Sequence, residues 1–195
     1  MRILVFGGTG TIGGACVEFA NKSGNEVTVA SRSNKDAGAL VLGDDFSGLD
    51  AVKSPFDAVI WAQGLNTNDR ADNADSFHTV MEANVAFIVK SFQALYGREL
   101  LAHPSRLVLI SSVWQNLARE NKFSYVVSKS AINGLVNAFN ADYAQHGIVT
   151  NAVLPGIVES PMTSRNLTRE QIDNVTRQTP TKSLVSTTEL AKSVL

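Results

Sequence analysis

Residues 7–14 read GGTGTIGG and follow directly on the apolar run Arg2–Phe6. Within this stretch Gly8, Gly10 and Gly13 fit the pattern G-x-G-x-x-G at a strand-to-helix junction. Glycines at such a junction permit a tight turn and let the backbone approach a pyrophosphate, and the start of the helix offers free N–H groups to the anion. The stretch therefore predicts a dinucleotide site. The alternative is a glycine-rich turn that only joins a buried strand to a helix.

The composition is typical of a globular protein, with 44% hydrophobic and 18% charged residues in a chain of 195. This length has room for one core, so we expect one domain over residues 1–195. The 17 basic and 18 acidic residues are interleaved, which disfavours nucleic acid as a partner. No secretory signal and no apolar run of membrane-spanning length is present, which favours a cytoplasmic protein without a membrane partner.

Apolar runs rich in β-branched residues alternate with longer stretches at helical spacing, which favours parallel βαβ units. Strands are predicted at Arg2–Phe6, Glu26–Ser31, Ala39–Leu42, Asp57–Trp61, Ser105–Ile110 and Thr150–Val153. Helices are predicted at Thr11–Lys22, at Asp72–Leu101 with a break near its middle, and at Ser124–His146. The fold class is then α/β, a Rossmann-type doubly wound parallel sheet in three αβα layers with a shortened second crossover. Residues 157–188 are predicted to form a flap over the substrate that carries one helix.

The end of the second predicted strand bears on the choice of cofactor. A carboxylate near this position would bind the ribose hydroxyls of NAD, but the chain has Ser31 followed by Arg32. A guanidinium can pair with a 2′-phosphate in a fork geometry, which a carboxylate would repel. We therefore expect NADP(H) to be preferred over NAD(H). The alternative is that Arg32 is a solvated surface charge.

Tyr125 and Lys129 are four residues apart in a helical pattern, so both side chains lie on one helix face. A phenol has an ordinary pKa near 10, and a neighbouring ammonium would lower that pKa so that the tyrosine could act as general acid and base. Ser112 ends the fifth predicted strand, at the edge where ligands bind in open α/β sheets. These three residues predict a proton-transfer site.

From Arg2 to about Met162 the sequence resembles the short-chain dehydrogenase/reductase family. That family carries, in order, a glycine-rich turn, an Asn-Asn-Ala-Gly segment, a helix asparagine, a serine, a Tyr-x-x-x-Lys pair and a Pro-Gly. The matching positions are Gly7 to Gly13, Trp61-Ala62-Gln63-Gly64, Asn84, Ser112, Tyr125 with Lys129, and Pro155-Gly156. Trp61-Ala62-Gln63-Gly64 is an imperfect match.

The resemblance implies an oxidoreductase that transfers a hydride between NADP(H) and a small carbonyl or alcohol substrate. Tyr125 would exchange a proton with the substrate oxygen, and Ser112 would hydrogen-bond that oxygen. Lys129 would lower the pKa of the tyrosine and hold the nicotinamide ribose, and Asn84 would position a water in the proton relay.

By the same resemblance Asp45 would contact adenine, with Asp44 as the alternative, and Ile157 and Ser160 would face the nicotinamide carboxamide. The predicted cofactor-binding residues are Gly7, Thr9, Gly10, Thr11, Ile12, Gly13, Ser31, Arg32, Asp45, Ala62, Gly64, Tyr125, Lys129, Pro155, Gly156, Ile157 and Ser160. Trp114 and Gln115, together with the flap from Glu159 onward, are expected to line the substrate pocket beside Ser112 and Tyr125. No metal is expected, because His78, His103 and His146 lack close ligand spacing.

Two features depart from the commonest members of the family. Thr11 stands where many members have glycine, and members usually continue into a final strand and a glycine-rich tail. The protein is therefore either short, or its tail is missing from the sequence. Because family tetramers commonly use that final strand, we expect a homodimer through the helices of Asn84 and Tyr125, with a homotetramer as the alternative.

Two other functions are considered. A protein that binds NAD(P) and senses its state without catalysis would not need Ser112, Tyr125 and Lys129 together. A nucleotide-sugar epimerase or dehydratase would use a similar set, but it usually has an additional substrate domain. The identity of the substrate is not encoded in any motif.

Overall fold

The computed structural model describes residues 1–31 and 38–195 and contains one six-stranded parallel sheet with strand order β3-β2-β1-β4-β5-β6. The strands are β1 (Arg2–Phe6), β2 (Glu26–Ser31), β3 (Leu40–Val41), β4 (Phe56–Trp61), β5 (Leu101–Ile110) and β6 (Ile148–Val153). The α-helices are α1 (Thr11–Lys22), α2 (Phe77–Met81), α3 (Phe87–Tyr96), α4 (Phe123–Tyr143), α5 (Pro161–Asn166), α6 (Arg169–Gln178) and α7 (Thr187–Val194). The predicted three-layer α/β class is confirmed.

Alternation along β1 shows why both faces of the sheet are covered. Ile3 and Val5 pack with the residues of α1 and α7 on one face, whereas Leu4 and Phe6 pack with α3 and α4 on the other. All four side chains are at most 1% exposed. A strand buried on both faces reads as a continuous apolar run, which is what residues 3–6 show.

The predicted helix Asp72–Leu101 differs from the structure at both ends. Residues before Phe77 form a turn in which Ser76 Oγ donates to Asp69 Oδ2 at 2.6 Å, and α3 ends at Tyr96. The expected break is confirmed as one π-helical turn, Glu82–Ala86, between α2 and α3. The prediction that the flap, residues 157–188, carries one helix is wrong, because α5, α6 and the start of α7 all lie within it. Capping by Ser160, Thr168 and Ser186 starts each of these helices.

The order of the strands determines where a ligand can bind. Successive connections move outward from β1 in opposite directions, through β2 to β3 and through β4 to β6. In open parallel sheets the crevice at such a switch point, beyond the carboxyl ends of the strands, is the usual ligand site. Here it lies beyond Phe6 and Trp61, at the ends of β1 and β4. In the described part of the chain, no helix is both long enough and apolar enough to cross a bilayer.

Candidate active site

The glycine turn after β1 packs so closely that side chains are excluded from two of its positions. A Cβ on Gly13 would lie 2.2 Å from the carbonyl oxygen of Gly7, and a Cβ on Gly7 would lie 2.6 Å from the backbone nitrogen of Gln63. Gly7 also has φ +76°, in the left-handed region that favours glycine. Helix α1 follows Gly10 without a side-chain cap, so its first N–H groups are available to an anion.

A cavity of about 650 Å³ opens beside this turn, within the usual size range of ligand pockets, about 300–1,000 Å³. Its lining comes from the glycine turn, the ends of β2 and β4, and the helical segment across from them. The lining residues are Phe6, Gly7, Thr9, Ala30, Ser31, Leu42, Gln63, Gly64, Leu65, His78, Thr79, Glu82, Ala83 and Phe87. We call this space the first cavity.

Gln63 brings an amide to the first cavity that nothing else in the described residues satisfies. Both its Oε1 and its Nε2 are buried, and neither finds a hydrogen-bond partner within the described chain. Buried polar groups are almost always hydrogen-bonded, so an orphaned amide at a cavity indicates a position for a polar ligand. The glycine cradle and this amide together fit a nicotinamide dinucleotide.

Asn84 lies in the π-helical turn and ties three parts of the site together. Its Oδ1 accepts from the Leu65 N–H at 2.7 Å, and its Nδ2 donates to Leu65 O and to Ser128 Oγ, both at 2.9 Å. Ser128 Oγ in turn donates to the Tyr125 carbonyl oxygen at 2.8 Å. The amide of Asn84 therefore positions the segment after β4 against α4. Its expected role toward a water stays a prediction.

Tyr125 lies in the first turn of α4, and Ser112 follows β5. Burial raises the pKa of Tyr125 above its ordinary value, and the interaction with Ser112 lowers it only in part. Burial is the largest cause and raises the pKa, so the predicted lowering by Lys129 has no support here and stays a prediction. The tyrosine is therefore the protonated acid at neutral pH.

Lys129 is fully enclosed one helical turn after Tyr125. Its Nζ donates to the Ile110 carbonyl oxygen at 2.9 Å and lies 5.6 Å from the centre of the Tyr125 ring. Burial lowers the pKa of Lys129 from 10.5 to about 8, because an ammonium loses hydration there. A Cβ on Gly64 would lie 3.5 Å from Asn84 Oδ1 and 3.8 Å from Lys129 Nζ, so these groups border the segment after β4.

A second, smaller cavity of about 130 Å³ lies at the Tyr125 side of the site. It is bounded by the residues after β5, the start of α4 and the flap. The lining residues are Ile12, Asn66, Ser111, Ser112, Trp114, Arg119, Lys122, Tyr125, Pro155, Gly156, Ile157, Val158, Ser160, Thr163 and Leu167. We call this space the second cavity.

The predicted site residues divide between the two cavities. The first cavity holds Gly7, Thr9, Ser31 and Gly64, and the second holds Ile12, Ser112, Trp114, Tyr125, Pro155, Gly156, Ile157 and Ser160. The predicted residues that line neither cavity, apart from those discussed below, are Gly10, Thr11, Gly13, Ala62, Asn84 and Lys129.

Three further predicted positions, Asp45, Gln115 and Arg32, are not part of either described lining. Asp45 lines neither cavity, and its Oδ1 accepts from the Ser47 N–H at 3.0 Å, so its expected contact with adenine has no support in the structure. Gln115 lines neither cavity, although its neighbour Trp114 does. Arg32 lies outside the described residues.

Sequence reasoning missed the polar lining contributed by Gln63, Arg119 and Lys122. Gln63 carried a signal, because it adjoins Gly64 at the end of a buried strand where ligands bind. Lys122 carried a weaker signal, because it immediately precedes the helix that begins the Tyr125 segment. Arg119 lies in an irregular segment, whose position follows from no local pattern.

Comparison with known proteins places the chain among oxidoreductases. Residues 55–195 match the family model described as Enoyl-(Acyl carrier protein) reductase. The chain is 30% identical over 162 residues to 2-(R)-hydroxypropyl-CoM dehydrogenase of Xanthobacter autotrophicus, covering 78% of this chain and 65% of that protein. It is 29% identical over 224 residues to galactitol 2-dehydrogenase of Rhizobium johnstonii, covering 100% of this chain and 86% of that protein.

Solved structures share the fold. A gluconate 5-dehydrogenase from Burkholderia cenocepacia, in complex with NADP and tartrate, superposes with a TM-score of 0.86 at 20% identity, covering 99% of this chain and 86% of that one. The aldohexose dehydrogenase of Thermoplasma acidophilum gives a TM-score of 0.86 at 18% identity, covering 99% and 84%. The glycine turn and the strand order therefore belong to a fold that these dehydrogenases share.

Proposed function

Because this chain belongs to the short-chain dehydrogenase/reductase family, we propose that it transfers a hydride between NADP(H) and a carbonyl or alcohol substrate, with Tyr125 as the proton donor and acceptor. The observation that carries the proposal is that Ser112 and Tyr125 line the same second cavity, while Lys129 Nζ lies 5.6 Å from the centre of the Tyr125 ring. A hydroxyl pair of this kind can hold one substrate oxygen between two hydrogen bonds.

The glycine turn, Gln63 and Gly64 would hold the dinucleotide, and the nicotinamide supplies or accepts the hydride when it is bound. Ser112 would hydrogen-bond the substrate oxygen and orient it toward Tyr125. In reduction, Tyr125 donates its phenolic proton to that oxygen as negative charge develops there, and its raised pKa keeps the proton available at neutral pH.

Lys129 would support this proton transfer electrostatically. When protonated, its ammonium stabilises the phenolate that is left after donation, because opposite charges attract strongly in a site of low polarity. With a pKa of about 8, Lys129 can also give up a proton near neutral pH and so help to restore the phenol. Its hydrogen bond to Ile110 keeps the amine at a fixed place beside the ring.

The preference for NADP(H) over NAD(H) rests on sequence position. Ser31 ends β2 and lines the first cavity, and the residue that follows it in the chain is an arginine rather than a carboxylate. A guanidinium at that position suits a 2′-phosphate. Titration with NADPH and separately with NADH, followed by nicotinamide fluorescence, tests this preference directly, and equal affinities would contradict it.

Turnover is tested with a panel of small ketones and aldehydes by following the consumption of NADPH. Tyr125→Phe should lower kcat by about 10²–10⁴-fold, the usual contribution of general acid catalysis, while leaving NADPH binding within a few-fold of wild type. Tyr96→Phe is the matched control, because Tyr96 is exposed and packs on Phe92 at the far end of α3. If Tyr125→Phe retained most of the activity, the assigned proton transfer would be wrong. Binding without turnover of any substrate would favour a cofactor sensor.

A further inference from the structure

The charged side chains that line the second cavity are all positive. Arg119 and Lys122 both line it, and none of its lining residues is a carboxylate. Within the residues that the structure describes, Arg119 forms no ion pair and lies in the exposed segment before α4. A cleft lined by cations alone concentrates anions at its mouth and within it.

The second cation is held deep in the wall. Lys122 is 6% exposed, and its Nζ donates to Asn66 Oδ1 at 2.8 Å. Burial is the main cause that lowers the pKa of Lys122, and repulsion by Arg119 lowers it further. Both cations line the same cavity of about 130 Å³, which places them on the walls of one small space.

One carboxylate that acts on Lys122, that of Asp69, is also engaged elsewhere. Asp69 attracts Lys122, but its oxygens accept from Ser76 Oγ, from the Ser124 N–H at 3.0 Å and from Ser124 Oγ. Those bonds fix the start of α4, so Asp69 serves as a helix cap as much as a counter-ion. An anionic group held between Arg119 and Lys122 would be attracted by both cations.

Lys122 also lies close to the predicted reacting centre. It immediately precedes α4, and it lines the same small cavity as Tyr125, Ser112 and Trp114. An anion held by Arg119 and Lys122 and a carbonyl held by Tyr125 would therefore share this cavity, as two groups of one small molecule could.

We propose that Arg119 and Lys122 form an anion subsite, so that the substrate is a small carbonyl or hydroxy compound carrying a carboxylate or phosphate near the reacting carbon. This inference rests on the proposed function for the reaction and on the charge of the second cavity for the substrate class. Guanidinium and ammonium groups bind both anions, and the guanidinium does so through two parallel hydrogen bonds.

The test compares substrates that differ only in the anionic group. Pyruvate and acetoacetate are paired with their methyl esters, and dihydroxyacetone phosphate is paired with dihydroxyacetone, which separates carboxylate from phosphate recognition. We expect the wild-type kcat/KM to be about tenfold higher for the anionic member of at least one pair, the effect of a charge-assisted hydrogen bond. Arg119→Gln should lower that ratio about tenfold, and Arg119→Lys should lower it less. Arg106→Gln is the matched control, because Arg106 is exposed on β5 and lines neither cavity.

A binding measurement separates this inference from the proposed reaction. The chain has two tryptophans, of which Trp61 is buried in the core and Trp114 lines the second cavity. Pyruvate, acetoacetate or dihydroxyacetone phosphate should change the Trp114 fluorescence at lower concentration than its neutral partner does, and Arg119→Gln should raise that concentration about tenfold. Trp114→Phe should remove the signal. This result would support the subsite even if no compound were reduced.

Two outcomes overturn the inference. If neutral and anionic partners give equal kcat/KM and equal fluorescence responses, and Arg119→Gln changes both partners alike, there is no anion subsite although the reductase activity stands. If Arg119→Gln raises KM for NADPH and leaves the substrate ratio unchanged, the cations serve the cofactor instead. Thermal unfolding of each variant shows whether a loss reflects misfolding, and Arg119→Lys then provides the folded comparison.

Discussion

The buried charge of Lys129 is predicted to lower the free energy of unfolding at neutral pH, although the residue is proposed to take part in the reaction. Its ammonium is fully enclosed, and burial lowers its pKa from 10.5 to about 8. A change of this size corresponds to roughly 3 kcal/mol of unfavourable free energy at neutral pH, at about 1.4 kcal/mol for each pH unit. Lys129→Met removes this cost and fills the same space with a flexible apolar side chain.

The gain is reduced because Lys129 also donates to the Ile110 carbonyl oxygen at 2.9 Å. Loss of a partner for a buried polar group costs about 1–3 kcal/mol. We therefore expect Lys129→Met to raise the free energy of unfolding at pH 7 by up to about 2 kcal/mol, or the Tm by up to about 8 °C for a domain of this size. The same variant should lose reductase activity.

The pH dependence gives the sharper test. Below pH 8 the amine is protonated in both the folded and the unfolded chain, so the cost is constant. Between about pH 8 and 10.5 the unfolded chain binds more protons than the folded chain, so the wild type gains stability relative to Lys129→Met as pH rises. The advantage of the variant should therefore disappear across this interval.

Urea unfolding of both proteins from pH 6 to 10.5 measures the effect, with Lys53→Met as a control at an exposed lysine. The stability of Lys53→Met relative to wild type should not fall in the same way between pH 8 and 10.5. A Lys129→Met protein that is less stable than wild type at pH 7, with a difference independent of pH, would refute the reasoning.

Two further predictions concern the first cavity. Gly13→Ala should cost about 1–3 kcal/mol of stability and weaken NADPH binding, because its Cβ would lie 2.2 Å from the Gly7 carbonyl oxygen. Gly14→Ala is the control and should have neither effect, because its Cβ would be 3.5 Å from its nearest neighbour. Urea unfolding and NADPH titration compare the two variants. Gln63→Leu should raise the free energy of unfolding by about 1 kcal/mol while weakening NADPH binding about tenfold, because two orphaned amide atoms are removed. Gln93→Leu, at an exposed position, is its control, and unchanged NADPH affinity in Gln63→Leu would remove Gln63 from the cofactor site.

The elements predicted to the residue are those whose ends are marked by local chemistry. β1, α1 and β2 match because the glycine turn separates the first two and Lys22 lies in the last turn of α1. β5 was expected to begin at Ser105, after Pro104, since proline lacks the N–H of a ladder residue. It begins at Leu101, because Leu101 pairs with Phe56 across a register shift in β4. That pairing is a tertiary contact that the local sequence does not contain.

The parts of the site that could not be predicted depend on burial and on irregular backbone. Tyr125 and Lys129 were brought together by helix spacing, but the direction of the tyrosine pKa depends on how much water the fold excludes. Gln63 and Lys122 are polar residues whose burial only the packed structure reveals. The substrate flap was expected to carry one helix, and its additional helices are short segments that begin at polar caps in a stretch of weak apolar periodicity.

The pKa directions of Tyr125 and Lys129 determine which of the two groups loses its proton first as pH rises. Burial raises the pKa of the phenol above 10 and lowers that of the amine to about 8, so the amine loses its proton first as pH rises. The phenolate is then a product of catalysis rather than the resting form of the tyrosine. A protonated Tyr125 is ready to give a proton to a substrate oxygen, whereas oxidation of an alcohol requires it to lose that proton first.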